Sequence, residues 1–196
     1  MSTDAKEAAA WRLPAAAGDI LLPMARAAIS TALGQPSSAA EDAGWLQEPG
    51  ACFVTLTRQR QLRGCIGTLE AHRSLLADVK SNAVAAALQD TRFAPLTLAE
   101  LVSTQLEVSV LSPMQAMEYH DEAHALVQLR PGLDGVVFEY GRYRSTFLPQ
   151  VWEQLPDVHQ FMAYLKQKAG LPPDFWRADV RLKRYSVHKW QEKKSP

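Results

Sequence analysis

The sequence predicts an α+β fold: a largely antiparallel sheet flanked by helices, with room for two lobes. Three observations carry that expectation. Stretches of alternating hydrophobicity occur in pairs joined by short turns, helical periodicity appears between them, and no regular strand–helix–strand repeat suggests a doubly wound parallel sheet. With 196 residues, 47% of them hydrophobic, the chain can build a full core in one domain.

The elements follow in order. Gly18-Asp19, then Ile20, Leu21, Met24, Ala27, Ala28 and Thr31, then Gly34, predict an amphipathic helix N-capped by Asp19 and stopped by Gly34. Residues 35–50, rich in Gly, Pro, Ser and acids, read as a loop. Phe53–Leu56 and Leu62–Ile66 predict a hairpin whose facing residue numbers sum to about 118, which sets Cys65 opposite Phe53. Cys52 then points to the other face, so no disulfide joins the two cysteines. Ser74 caps a second helix to about Gln89, with Leu76, Val79, Ala83 and Ala87 in one stripe. Its alanines permit close approach to the sheet, over the glycines of the hairpin. Gln105–Leu111 alternates as a strand that sets Glu107 and Ser109 opposite Leu106, Val108 and Val110. Leu133–Phe138 and Arg142–Phe147 predict a second hairpin around Tyr140-Gly141. Residues 151–169 read as helix broken near Pro156, and Ala178–Lys189 as one final strand.

Composition excludes several function classes. The 21 acidic and 21 basic residues cancel, leaving no long-range field to gather nucleic acid or an anionic membrane. Two cysteines are too few for a disulfide scaffold, and Met1–Ala10 lacks the apolar run of a secretion signal, so cytoplasm is the expected compartment. No stretch is apolar enough for a membrane span. Phosphate-binding loops and dinucleotide fingerprints are absent from the sequence, and no cysteine cluster suits an iron–sulfur centre, so no cofactor is expected. His120 and His124 have a spacing that chelates zinc on a helix, but no third ligand is evident and an exposed charge pattern explains them better. No metal site is expected. The basic residues from Arg177 to Lys194 read as a solvated strand face and tail.

Local composition departs from ordinary folding needs at Gln61-Leu62-Arg63-Gly64-Cys65-Ile66-Gly67-Thr68-Leu69. On a regular strand Arg63, Cys65 and Gly67 share a face, with the Cα atoms of Arg63 and Cys65 roughly 6.5–7 Å apart. A guanidinium at that range favours a thiolate, which makes Cys65 the candidate nucleophile or redox thiol and Arg63 its stabiliser. Gly64 and Gly67 mark either access for a ligand or close approach of another backbone. The competing reading is a packed cysteine with glycines that admit a helix. Within Asp90–Leu96, Asp90 can bond neighbouring amides, Pro95 fixes the loop and Phe93 anchors it in the core. Arg92 can then clamp a carboxylate or phosphate, or pair with Glu107. Glu107 is either a solvated residue or part of the binding surface. His72, His159 and His188 could reach Cys65 only through folding.

Leu62-Arg63-Gly64-Cys65-Ile66-Gly67-Thr68 resembles the signature of the AMMECR-type domain, called AmmeMemoRadiSam system protein A in bacteria. Asp90–Leu96, Glu107–Ser112, Leu148–Val151 and Lys168–Leu171 resemble further segments of that family in the same order, so the resemblance covers roughly residues 15–190. It implies one AMMECR-type domain over 15–190 between a polar tail at 1–14 and a C-terminal tail at 191–196. It also implies an α+β fold and association with a Memo-like protein and a radical SAM enzyme. It supplies no reaction. Asp134 stands before Gly135 where some relatives carry a histidine. Three functional expectations stand together: an enzyme or enzyme subunit centred on Cys65, an adaptor that recognises a partner through the same strand, or a strand that serves folding alone.

Overall fold

The structure is a computed structural model that describes residues 13–193. Residues 1–12 of the expected N-terminal tail lie outside the described residues. Eight strands form two four-stranded sheets: β1 Ala51–Arg58, β2 Gln61–Gly67, β3 Thr104–Leu111, β4 Gln115–Ala116, β5 Gly135–Tyr140, β6 Tyr143–Phe147, β7 Arg181–Tyr185 and β8 Val187–Gln191. Among the described residues, five α-helices accompany them: α1 Gly18–Ala32, α2 Leu75–Leu88, α3 Leu98–Val102, α4 Glu122–Leu126 and α5 Val158–Lys168. The chain divides into two compact units. The α+β class is as the sequence predicts.

The first unit holds residues 13–111 and 188–193 and the sheet ordered β2-β1-β3-β8. The β1–β2 and β1–β3 pairs are antiparallel. Helices α1 and α2 pack on one face, onto Cys52, Val54, Leu56, Leu106, Val108 and Val110, all fully buried. α1 ends as expected: Gly34 takes a left-handed φ of 86°, and the Gln35 amide donates to the Ser30 carbonyl at 3.0 Å, closing the last turn. Asp19 does not cap its start. A 3-10 turn at Ala15–Ala17 runs straight into the helix, so Asp19 sits in the first turn, where its charge complements the helix dipole. Ser74 does cap α2, accepting from the Ala77 amide at 3.4 Å.

The hairpin register differs from the expected one. Cys65 faces Thr55, and Phe53 faces Gly67, because a bulge sets Leu56 against Gly64 and Thr57 against Leu62. Arg63 is the extra residue of that bulge, so Leu62 lies on the face of Cys65 rather than on that of Gly64. Cys52 still points away from Cys65, and both are free.

The second unit holds residues 112–187, with the sheet ordered β4-β7-β5-β6 and antiparallel pairing throughout. The break expected near Pro156 separates a 3-10 turn at Pro149–Glu153 from α5, which Asp157 caps. Trp152 stacks on Phe161 at 3.7 Å between ring centroids and donates its indole N–H to the Asp134 carbonyl at 2.7 Å. Asp134 is itself buried and clasped by Arg130 at 2.6 Å, a structural ion pair. Gly135 leaves room for the Tyr185 ring, which an added methyl group would overlap.

Expected as one strand, 178–189 is two. The chain leaves β7 at Ser186, whose amide donates to the Ser112 hydroxyl and whose carbonyl accepts from the Ser112 amide, both at 2.9 Å. It then enters the first sheet as β8. Alternation continues through the break, so periodicity alone does not reveal it.

Candidate functional site

On the face of the first sheet opposite α1 and α2, the register aligns Cys65 of β2, Thr55 of β1 and Glu107 of β3 in one transverse row. Lys189 reaches the row from β8, its ammonium 3.7 Å from the Glu107 carboxylate. Thr55 donates its hydroxyl to the Cys65 sulfur at 3.4 Å, and Ser109 donates to Glu107 at 3.3 Å. Cys65, Thr55 and Glu107 are half-buried, and Lys189 is exposed. Four adjacent strands thus present a thiol, a hydroxyl, a carboxylate and an ammonium side by side.

β2 is the edge strand, and the segment after α2 seals that edge at Cys65. The Cys65 amide donates to Asp90 at 2.9 Å and its carbonyl accepts from Arg92 at 3.2 Å. Asp90 also accepts from the Arg92 amide at 3.2 Å and from its guanidinium at 2.9 and 2.6 Å. Leu96 anchors the loop, buried and bonded to the Ala87 carbonyl at 2.8 Å. Phe93, expected in the core, is only half-buried. The Arg63 and Arg92 guanidiniums lie 5.9 and 5.5 Å from its ring centroid, which stabilises the cations against the ring face.

The Arg92 guanidinium, then burial opposing it, then the two amides leave the Asp90 carboxyl far below its ordinary range. A depressed folded-state pKa contributes stability that is present above the unfolded pKa, about 3.9, and lost as pH falls below it. Asp90→Asn is therefore expected to lower the urea midpoint at neutral pH and to flatten the acid limb of stability below about pH 4. A variant whose acid limb keeps the wild-type slope would remove Asp90 as its source.

The structure brings Cys65 and Arg92 together, and sets Glu107 two strands away in the same row. Arg92 pairs with Asp90, not with Glu107. Arg63 does not lie along Cys65 as regular alternation implies; from the bulge it reaches Glu100 at 3.3 Å. Glu100 also takes Arg58 at 3.0 Å and caps α3 through Thr97, and the Thr97 amide and then Arg63 lower its pKa. Gly64 and Gly67 both have packing partners. A methyl group on Gly64 would overlap the Ala86 carbonyl oxygen of α2, and one on Gly67 would overlap the Phe53 ring and press the Cys52 carbonyl at 2.6 Å. The close approach expected between the alanine-rich helix and the glycines is thus present at Gly64.

Cys52 lies in a separate network on the helix side. Its amide donates to Asp78 at 2.8 Å, and Asn82 donates to its carbonyl at 3.0 Å. Burial and then the Asp78 charge push its thiol well above the ordinary range, which leaves it inert. His120 and His124 stand 4.2 Å apart between ring centroids, and among the described residues no group of three His, Cys, Asp or Glu is placed to hold a metal ion. Nor is any helix among them long and apolar enough to cross a membrane.

Sequence reasoning missed Thr55, Lys189 and Asp90 as partners of the site. Thr55 follows from the register once the bulge is known, whereas Asp90 needs the return of the chain from α2 to the β2 edge. Comparison with known proteins places the chain in a family. The AMMECR1 family model matches residues 22–190, and the chain belongs to that family. Protein MJ0810 of Methanocaldococcus jannaschii is 39% identical over 149 residues, 74% of each chain. Protein PF1979 of Pyrococcus furiosus is 37% identical over 155 residues, 75% of this chain and 73% of its own. The crystal structure of the uncharacterized protein PH0010 from Pyrococcus horikoshii superposes with a TM-score of 0.75 at 33% identity, covering 90% of this chain and 91% of that one.

Proposed function

We propose that the row Cys65–Thr55–Glu107, with Lys189 beside it, is the floor of a reactive site, in a small cytoplasmic enzyme or enzyme subunit that works with a Memo-like protein and a radical SAM enzyme. The observation that carries the reading is the alignment of Cys65, Thr55 and Glu107 from three strands in one register row, with Lys189 of the fourth strand paired to Glu107. Cys65 is the reacting thiol: the residue is half-buried and its sulfur already accepts the Thr55 hydroxyl, the kind of bond that supports negative charge on sulfur. Glu107 and Lys189, on the far side of Thr55, are placed to hold a polar part of the substrate or to pass a proton. Arg92 fixes the strand edge so that the thiol keeps its position. Gly64 and Gly67 serve the site through packing. The partners rest on the family resemblance.

One observation favours the adaptor reading as the alternative. Leu62, on the Cys65 face beside Arg63, is 44% exposed, a side chain that a protein partner could cover. Co-expression with the Memo-like and radical SAM proteins separates the two. The enzyme-subunit reading expects capture of the partners by wild type, Cys65→Ser, Leu62→Ser and Arg63→Ala alike. Loss of capture in Leu62→Ser or Arg63→Ala, with Cys65→Ser unaffected, would establish the strand as a recognition surface instead.

A further inference from the structure

We infer that the ligand of this site carries an oxyanion, a carboxylate or phosphate group, held beside Cys65 by Arg63 and Arg92 at the Phe93 ring. The inference rests on the reading of Cys65 as the reacting thiol and names the substrate class it takes. Its first support is charge. Arg58, Arg63 and Arg92 share two carboxylates, Glu100 and Asp90, through three ion pairs, so the cluster keeps one positive charge in excess. Both carboxylates are heavily used: Asp90 by the Cys65 and Arg92 amides as well as by Arg92, Glu100 by the Thr97 amide and hydroxyl as well as by two arginines.

The second support is unfilled hydrogen-bonding capacity. A guanidinium offers five N–H donors in a planar fork. The Arg63 side chain is only 15% exposed, yet among the described residues its guanidinium makes one hydrogen bond, of 3.3 Å, to Glu100. None of its nitrogens is both sealed from solvent and unpartnered, so the remaining donors open toward water. Donors that only water fills on a mostly buried cation are free for an oxyanion to take, and a carboxylate or phosphate fits the fork with two parallel bonds. Arg92 is half-exposed, with its Nη1 donors unused by the contacts to Asp90 and Cys65. Both guanidiniums lie against Phe93, which gives them a common apolar wall and keeps the second one next to the Cys65 carbonyl. An anion bridging them sits at the strand edge next to the Cys65 carbonyl that Arg92 holds, with Thr55 and Glu107 further along the row for the rest of the molecule.

Two alkylating reagents of nearly equal size test this, one anionic and one neutral. Iodoacetate and iodoacetamide each form a carbon–sulfur bond at Cys65 with loss of iodide, so their rate ratio, referred to a short cysteine peptide at the same pH and ionic strength, reports the anion site alone. Cys52→Ser isolates the thiol. The expected result is saturable labelling by iodoacetate, a ratio raised about tenfold or more over the peptide, and loss of that advantage in Arg63→Gln. Arg63→Lys, which keeps the charge without the fork, retains part of it and guards against a folding defect in the glutamine variant. Acetate and inorganic phosphate are added as competitors: stronger protection by acetate assigns a carboxylate, and stronger protection by phosphate assigns a phosphate. Labelling by iodoacetamide with no iodoacetate advantage, or no protection by either anion, overturns the oxyanion inference and leaves the Cys65 reading standing. Failure of both reagents to label the native protein overturns the Cys65 reading itself, and this inference with it.

Discussion

Gly64→Ala is expected to destabilise the protein by about 3 kcal/mol or more, above the ordinary range for overpacking. The added methyl group would overlap the Ala86 carbonyl oxygen and lie 3.0 Å from its carbonyl carbon. These are backbone atoms of α2, so relief requires the helix to retreat from the sheet and to open the packing of Val79, Ala83 and Ala87. Gly44→Ala is the control. A methyl group there meets no atom within 4 Å, so the change costs less than about 0.5 kcal/mol. Urea unfolding of the two variants compares them directly. A Gly64→Ala midpoint near wild type would show that the helix yields easily, and would return the glycine to a role in ligand access.

Asp78→Ala carries the second large effect, about 3–5 kcal/mol. The Asp78 carboxylate is buried and accepts from the Cys52 amide at 2.8 Å, the Thr68 hydroxyl at 2.6 Å, Asn82 at 3.0 Å and the Arg73 guanidinium at 2.8 Å. It therefore ties the start of β1, the end of β2 and the first turns of α2 to one another. Removing it leaves the buried Cys52 amide and one N–H of the buried Asn82 side chain without their acceptor, and each such group costs about 1–3 kcal/mol. Arg73 is exposed enough to turn to water and limits the total. Asp78→Asn, which keeps the shape and two acceptor lone pairs but brings donors to face donors, falls between alanine and wild type. Chemical denaturation checks the order; a loss below about 1 kcal/mol for Asp78→Ala would mean that water replaces the carboxylate.

These two predictions show why the signature strand was only partly legible in the sequence. Its unusual residues were visible, but their uses divide between folding and chemistry. Gly64 answers to Ala86, a contact suggested by the alanine-rich stripe of α2, while Gly67 answers to Phe53 across the hairpin. Glu107 and Ser109 fall on one face because β3 is regular, and alternation predicts a regular strand well. β2 is not regular. Its bulge turns Arg63 from Cys65 toward Glu100, and nothing in local composition announces an extra residue in a strand. The Asp19 cap failed for a related reason: a preceding 3-10 turn changes where the helix begins. The division of 178–189 between two sheets depends on Ser112 meeting Ser186, a contact between residues far apart in sequence. Asp90 illustrates the same limit, since its role at Cys65 depends on how α2 returns the chain to the sheet edge.

The central claim is that Cys65 presents an accessible, reacting thiol while Cys52 is a packed one. The measurement that tests it most directly is the iodoacetamide labelling rate of each cysteine at neutral pH, in the native protein and in urea, resolved by peptide mass mapping. The account predicts that native Cys65 labels at least as fast as it does in the unfolded chain, whereas Cys52 labels only on unfolding. Protection of Cys65 to the same degree as Cys52 would contradict it and leave the strand with a folding role alone.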